Sequence, residues 1–258
     1  MPNTKDTLQV SKTAQVRVIK ELIESSRLTY DFYLMLILST VVVTLGLLVE
    51  NTAVIIGGML ITPLLTPILN LSLGIVIADK TVIGHSIRII LQSLGIVLSV
   101  SLIIAFLFPI DNINGEIYSR LVSNIPYFLI AFSAGLAATF AWSKKNLSAM
   151  LPGVAIAVSL LPPLSVVGIG LGTFSMSLIR GSLVSFLLNL FGIILGSVII
   201  FSLLNFQKTK DETVKKVKQE IKQEEKKKEE KQEKELEEKV KKIIEEEKKI
   251  EKIKKDIE

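Results

Sequence analysis

The apolar positions of this chain run on in long blocks with few polar interruptions. Six windows contain no Asp, Glu, Lys or Arg: residues 32–49, 51–78, 89–110, 121–142, 146–179 and 181–207. A bilayer core takes about 20 apolar residues per helix, within a range of roughly 17–25. An isolated apolar strand cannot satisfy its backbone in lipid. The pattern therefore predicts an all-α integral membrane protein with six transmembrane helices, at about residues 30–49, 52–78, 88–109, 122–142, 148–172 and 182–205. Residues 1–28 precede this domain as a cytoplasmic amphipathic helix, with Val16, Ile19, Leu22 and Ile23 at helical spacing. Residues 29–206 form the membrane domain, and residues 207–258 a Lys/Glu-rich helical or weakly coiled-coil tail. In the tail Leu236, Val240, Ile243, Ile250 and Ile257 fit a heptad seam that Glu247 and Lys254 interrupt.

Two windows exceed one helix, and both carry helix breakers in mid-membrane. The second reads Gly57-Gly58-Met59-Leu60-Ile61-Thr62-Pro63-Leu64-Leu65-Thr66-Pro67 and continues to Asn70. The fifth reads Ser159-Leu160-Leu161-Pro162-Pro163-Leu164-Ser165 and continues to Gly168, Gly170 and Gly172. Proline removes a backbone donor and frees a carbonyl one turn earlier. In hydrocarbon such groups need hydroxyls, protein or a water-filled cavity. Placing Pro63 over Pro162 also places Thr66 over Ser165. Each break then falls in the middle helix of a three-span unit. Two units of three spans must be inverted relative to one another, as in several secondary-transporter folds. The alternative is a pair of Pro-kinked helices with a purely architectural role.

Charge is segregated. Residues 206–258 hold 19 Lys and 17 Asp/Glu; residues 1–205 hold 11 Lys/Arg and 8 Asp/Glu. The tail is close to balanced, which excludes a polybasic nucleic-acid arm. Lys and Arg concentrate in the N-terminal segment, in the loop with Lys80 and Arg88, in the loop with Lys144 and Lys145, and after the last span. This alternation places both termini in the cytoplasm, with the chain multi-pass in the plasma membrane. His85 falls in the same cytoplasmic loop as Arg88. Zero Cys and one His exclude thiolate and poly-His metal sites, and the sequence calls for no metal and no cofactor. No Ser/His, Asp/Asp or Ser/Lys set lies within the windows, so the expectation is a protein that is not an enzyme.

The membrane interior also lacks carboxylates and cations. A neutral polar solute or an alkali cation fits such a lining better than a strongly charged substrate. The candidate substrate-binding residues are Thr62, Pro63, Thr66, Pro67 and Asn70 on one side, and Ser159, Pro162, Pro163, Ser165 and Asn189 on the other. Gly57, Gly58, Gly168, Gly170, Gly172, Gly192 and Gly196 are candidate helix-packing positions, within a protomer or across a homodimer. Two functions follow: a secondary transporter or channel for a small neutral polar solute or ion, or a non-transporting scaffold that presents the cytoplasmic tail to a protein partner.

Several stretches bear on family. They are Thr44-Leu45-Gly46-Leu47-Leu48 with Ala53 through Leu64, Gly153 through Val158 with Leu161-Pro162-Pro163-Leu164 and Val167 through Leu171, and Asn189-Leu190. Over about residues 27–205 the chain resembles the uncharacterised prokaryotic membrane family known as domain of unknown function 389, with Gly58 where the family pattern has Ala. The resemblance implies the membrane fold. It brings no substrate or reaction.

Overall fold

The computed structural model describes residues 12–25, 29–108, 113–144, 147, 160–208 and 219. By its contacts the chain divides into Met1–Lys210 and Asp211–Glu258. The second unit, apart from Gln219, lies outside the described residues, and with it the expected heptad seam.

Every regular element among the described residues is helical. They are α1 (Lys12–Ser25), α2 (Tyr30–Leu48), α3 (Thr52–Ile61), α4 (Leu65–Val76), α5 (Lys80–Leu107), α6 (Gly115–Ser119), α7 (Ile125–Ser143), α8 (Leu161–Gly172) and α9 (Met176–Leu203), with a short 3₁₀ turn at Phe206–Lys208. Four of them, α2, α5, α7 and α9, are long and apolar enough to cross a membrane. The pair α3 and α4 makes a fifth, bent by 53° at Thr62–Leu64. Of the expected span at 148–172, only the part from Leu160 onward is described.

Two boundaries differ from the reading of charge-free windows. α5 starts at Lys80 and α9 at Met176, where the sequence suggested about 88 and 182. Lys80, His85 and Arg88 are exposed on the first turns of α5, and Arg180 on those of α9. Avoidance of charge marks the hydrocarbon core, whereas the helix continues beyond it into the interface. His85 is therefore a helical residue and not a loop residue.

Three helix-to-helix corners share one construction. Glu50, Ala78 and Phe174 have φ of 53°, 54° and 54°. The next residue donates its N–H to the carbonyl five positions before it: Asn51 to Gly46 O at 2.9 Å, Asp79 to Gly74 O at 3.0 Å, Ser175 to Gly170 O at 2.9 Å. This is the Schellman closure of a helix C-terminus. The donor residue then serves as N-cap of the next helix. The glycine is needed because that helix passes directly over it. A Cβ at Gly74 would stand 3.1 Å from Val82 and Ile83 side chains, and one at Gly170 would stand 2.9 Å from Leu178 Cβ.

α1 lies against the bundle. Val18, Ile19 and Leu22 are fully buried, and α1 packs on α4 and α7. Gln15 Nε2 donates to Leu204 O at 3.0 Å, satisfying a carbonyl at the end of α9.

Candidate functional site: two buried helix N-termini at mid-height

The long helices α5 and α9 set the frame. α4 packs on both, α8 packs on both, and α4 and α8 make little direct contact with each other. The register places them. Asn70 Nδ2 donates to Ser86 Oγ at 3.1 Å, and Gly74 meets Val82 and Ile83, so α4 runs antiparallel to α5. Continued back at the same rise, the chain at Pro63 stands at the level of Ser93. Gly168 meets Leu98 and Ser101, and Gly172 meets Leu102 and Ala105, so α8 runs parallel to α5. Its first residue, Leu161, is then level with Leu94. Gly170 meets Leu178 and Ile179, which puts Leu160 level with Asn189 of α9. Ser93 and Asn189 are each the fourteenth residue of a 28-residue helix. The two short helices thus start at the same mid-height, between Ser93 and Asn189, and run to opposite ends of the bundle.

Both starts are buried and uncapped. The N-cap positions are Leu64 and Leu160, 6% and 3% exposed, and neither α4 nor α8 has a side-chain cap. By contrast Thr29, Asn51, Asp79 and Asn124 cap the starts of α2, α3, α5 and α7 with side-chain hydrogen bonds. First-turn N–H groups have no intrahelical acceptor, and a buried end without a cap calls for another partner. Orphaned polar side-chain atoms occur on each of the four helices α4, α5, α8 and α9. Asn70 Oδ1, Ser93 Oγ, Ser165 Oγ and Ser182 Oγ are buried with no hydrogen-bond partner. Each such atom is costly unless something pairs with it.

The residues expected from sequence fall around this point. Thr62, at the end of α3, donates its hydroxyl to Gly58 O at 3.0 Å and is half-buried, as is Pro63. Thr66 is half-buried in the first turn of α4, followed by buried Pro67. Pro162, Pro163 and Ser165 are buried in α8, where every residue from Leu161 to Gly170 is buried. Asn189 is buried. Ser159 lies outside the described residues. Ser93, Ser86 and Ser182 are not among the residues expected from sequence; with a span beginning at about 88, Ser93 falls near its start, whereas in α5 it falls at the middle.

Pro63 and Pro162 lie ninety-nine positions apart, whereas the starts of α4 and α8, the starts of α5 and α9, and the corner residues Ala78 and Phe174 lie ninety-six apart. Pro67 then matches Pro163, Ser86 matches Ser182, Ser93 matches Asn189 and Ser101 matches Ser197.

The packing glycines are used almost entirely inside the chain. Gly58 sits on Val43 and Ser39, Gly168 and Gly172 on α5, and Gly170 on α9. Gly192 and Gly196 sit on α7, Gly192 at Ala131 and Phe132 and Gly196 at the Phe132 carbonyl. Gly57 is exposed with nothing nearby. Among the described residues, no group of three or more His, Cys, Asp and Glu gathers as a metal-ion site.

Among the described residues, four long apolar helices and one bent pair, with no charged side chain in the buried core, define a multi-pass helical membrane protein. The chain belongs to the family described as Domain of unknown function (DUF389), whose sequence model matches residues 59–195. It is similar to an uncharacterized protein of Methanocaldococcus jannaschii, 37% identical over 177 residues, which is 69% of this chain and 55% of that protein. The chain therefore spans about half the length of that relative. No solved structure matches it.

Proposed function

We propose that the protein is a secondary transporter or channel for a small polar solute or ion, built from six spans in two inverted three-helix repeats, and that it is not an enzyme. The carrying observation is that two buried, uncapped half-helix starts stand at the same mid-height of α5 and α9. Discontinuous helices that end at the bilayer midplane are how several transporters hold a substrate away from side-chain charge. The offset of ninety-six shared by α4 and α8, by α5 and α9, and by the corner residues Ala78 and Phe174 supports the repeat. An odd number of spans per unit makes the two units antiparallel. The residues assigned to the site are Thr66, Ser93, Ser165 and Asn189, with the breaks at Thr62–Pro63 and before Pro162.

In this proposal both termini are cytoplasmic and the bilayer is the cell membrane. Because the glycine stripes are consumed within the chain, a homodimer would form through another surface. The tail remains a candidate platform for a protein partner.

The test is solute flux into proteoliposomes, with Ser93→Ala and Thr66→Val beside the parent. Each substitution is expected to reduce flux about tenfold, the loss of roughly one hydrogen bond worth about 1.4 kcal/mol, while thermal unfolding stays unchanged. Deletion of residues 211–258 should leave flux intact. Equal flux in the parent and in empty vesicles, with a partner protein lost on that deletion, would replace transport by the scaffold reading.

A further inference from the structure

The geometry points to a small monovalent anion as the ligand of the mid-height site, an inference that rests on the transport reading above and narrows its substrate class. Composition alone favoured a neutral solute or an alkali cation, because no side-chain charge lies in the membrane interior. The backbone reverses that preference.

Each helix start carries about half a positive elementary charge, from aligned peptide dipoles and unpaired N–H groups. α4 and α8 both present that end at the level of Ser93 and Asn189, with 12 residues of helix behind each. A cation placed at that level would meet two positive ends, against the single negative end that α3 brings to the break at Ile61. An anion meets the arrangement by which helix N-termini bind anions elsewhere.

Burial strengthens the effect. Leu64, Leu65, Leu160 and Leu161 around the two starts are all at most 9% exposed, so water screens the dipoles little. Independent of the dipoles, Ser93 and Ser165 are fully buried and their hydroxyls have no partner. A hydroxyl in that condition has a proton to donate. Thr66 adds a third hydroxyl in the first turn of α4.

The prolines limit the charge and size of what fits. Pro67, Pro162 and Pro163 have no N–H to give. The backbone donors that remain are those of Leu64, Leu65 and Thr66 on one side and of Leu160 and Leu161 on the other. With no Lys or Arg at this depth, that set suits one negative charge on a compact ion. A phosphate or sulfate dianion would require more donors or a cationic side chain.

The experiment is thermal unfolding of the full chain in detergent at fixed ionic strength. Sodium chloride, nitrate and formate are compared with sodium gluconate, and lithium, potassium and choline chloride with sodium chloride. The expected result is an unfolding temperature that rises with the small anion and is indifferent to the cation. In Ser93→Asp a tethered carboxylate takes the ligand's place. That variant should unfold at a higher temperature than the parent in gluconate, and should lose the anion response. Thr66→Val removes one donor without adding charge. It should weaken the apparent anion affinity about tenfold, and it serves if the aspartate variant does not fold.

A response that follows the cation, or follows neutral polyols, overturns the anion assignment. So does a full anion response retained in both variants. Anion binding without flux in vesicles would sink transport and leave the binding site standing. Flux of a neutral solute with no anion response would do the opposite.

Discussion

The two half-helices occupy equivalent places and are held by different chemistry. α4 is fastened through a side chain: Asn70 donates to Ser86, whereas Ser72 spends its hydroxyl inside the helix, on Ile68 O at 3.0 Å. α8 is fastened by the absence of side chains. Where α4 has Ser72, α8 has Gly168, whose Cα lies so close to α5 that an added Cβ would stand 2.5 Å from Ser101 Cβ. Where α4 has Asn70, α8 has Val166, and the hydroxyl of Ser182, which corresponds to Ser86, is left without a partner. Equivalent backbone positions therefore do not require equivalent side chains. They require only that each short helix be fixed between the same two long ones. α4 keeps side chains at these two positions, while Gly168 and Gly170 bring α8 close against α5 and α9.

The largest effect should come from filling that close approach. Gly168→Val puts a branched side chain where Ser101 Cβ and the Leu98 carbonyl already stand at 2.5 and 3.0 Å. Overpacking of this kind costs about 3 kcal/mol, the upper part of its usual range. Ser72→Val, at the matching position on α4, should cost about 1 kcal/mol or less, because a side chain already fits there. The paired unfolding midpoints in detergent check the contrast. Similar losses at the two positions would mean that α4 and α8 are packed alike.

A smaller effect should follow from exchanging the polar pair. Asn70→Val imposes the α8 choice on α4 and leaves Ser86 buried without its donor. The expected loss is about 1.5 kcal/mol, dominated by the orphaned hydroxyl. The reciprocal Val166→Asn offers Ser182 a partner and should gain at most about 0.6 kcal/mol, the average for such bonds between membrane helices. Unfolding midpoints again decide. A Val166→Asn variant that loses more than Asn70→Val would show that α8 has no room for an amide.

Much of this was legible in the sequence, and the remainder was hidden for identifiable reasons. The apolar windows are long because each helix crosses a lipid-sized distance, so α2, α5, α7 and α9 could be read directly. The prolines exposed the break at Thr62–Pro63, since no other residue both ends a helix and withholds a donor. The helix starts at Lys80 and Met176 were missed because interfacial turns tolerate His85, Arg88 and Arg180. That displacement concealed Ser93 as a midpoint residue. Aligning the prolines alone gives an offset of ninety-nine; the offset of ninety-six on which the proposed repeat rests is carried by Leu64-Leu65 and Leu160-Leu161, Gly74 and Gly170, Ser86 and Ser182, and Ser101 and Ser197. What no residue pattern could supply is that two helix starts stand level with one another at mid-height, since that depends on how the helices pack.

The corner residues sharpen the comparison at the scale of single dihedrals. Ala78 follows α4 and Phe174 follows α8, both at φ 54°, in a region where a side chain costs roughly 1–2 kcal/mol. Glycine relieves that strain but adds chain entropy to the unfolded state, by about 0.5–1 kcal/mol. Ala78→Gly should therefore stabilise by about 0.5–1 kcal/mol, read as a higher unfolding midpoint. Phe174→Gly relieves the same dihedral, but Phe174 is 94% exposed at the start of α9, where an aromatic ring can rest among lipid headgroups. Its gain should be the smaller of the two in lipid nanodiscs, and should approach that of Ala78→Gly in detergent, where no headgroup layer exists. Equal gains in both media would mean that Phe174 does not anchor its corner in the membrane, leaving the shared backbone geometry as the only thing the two positions have in common.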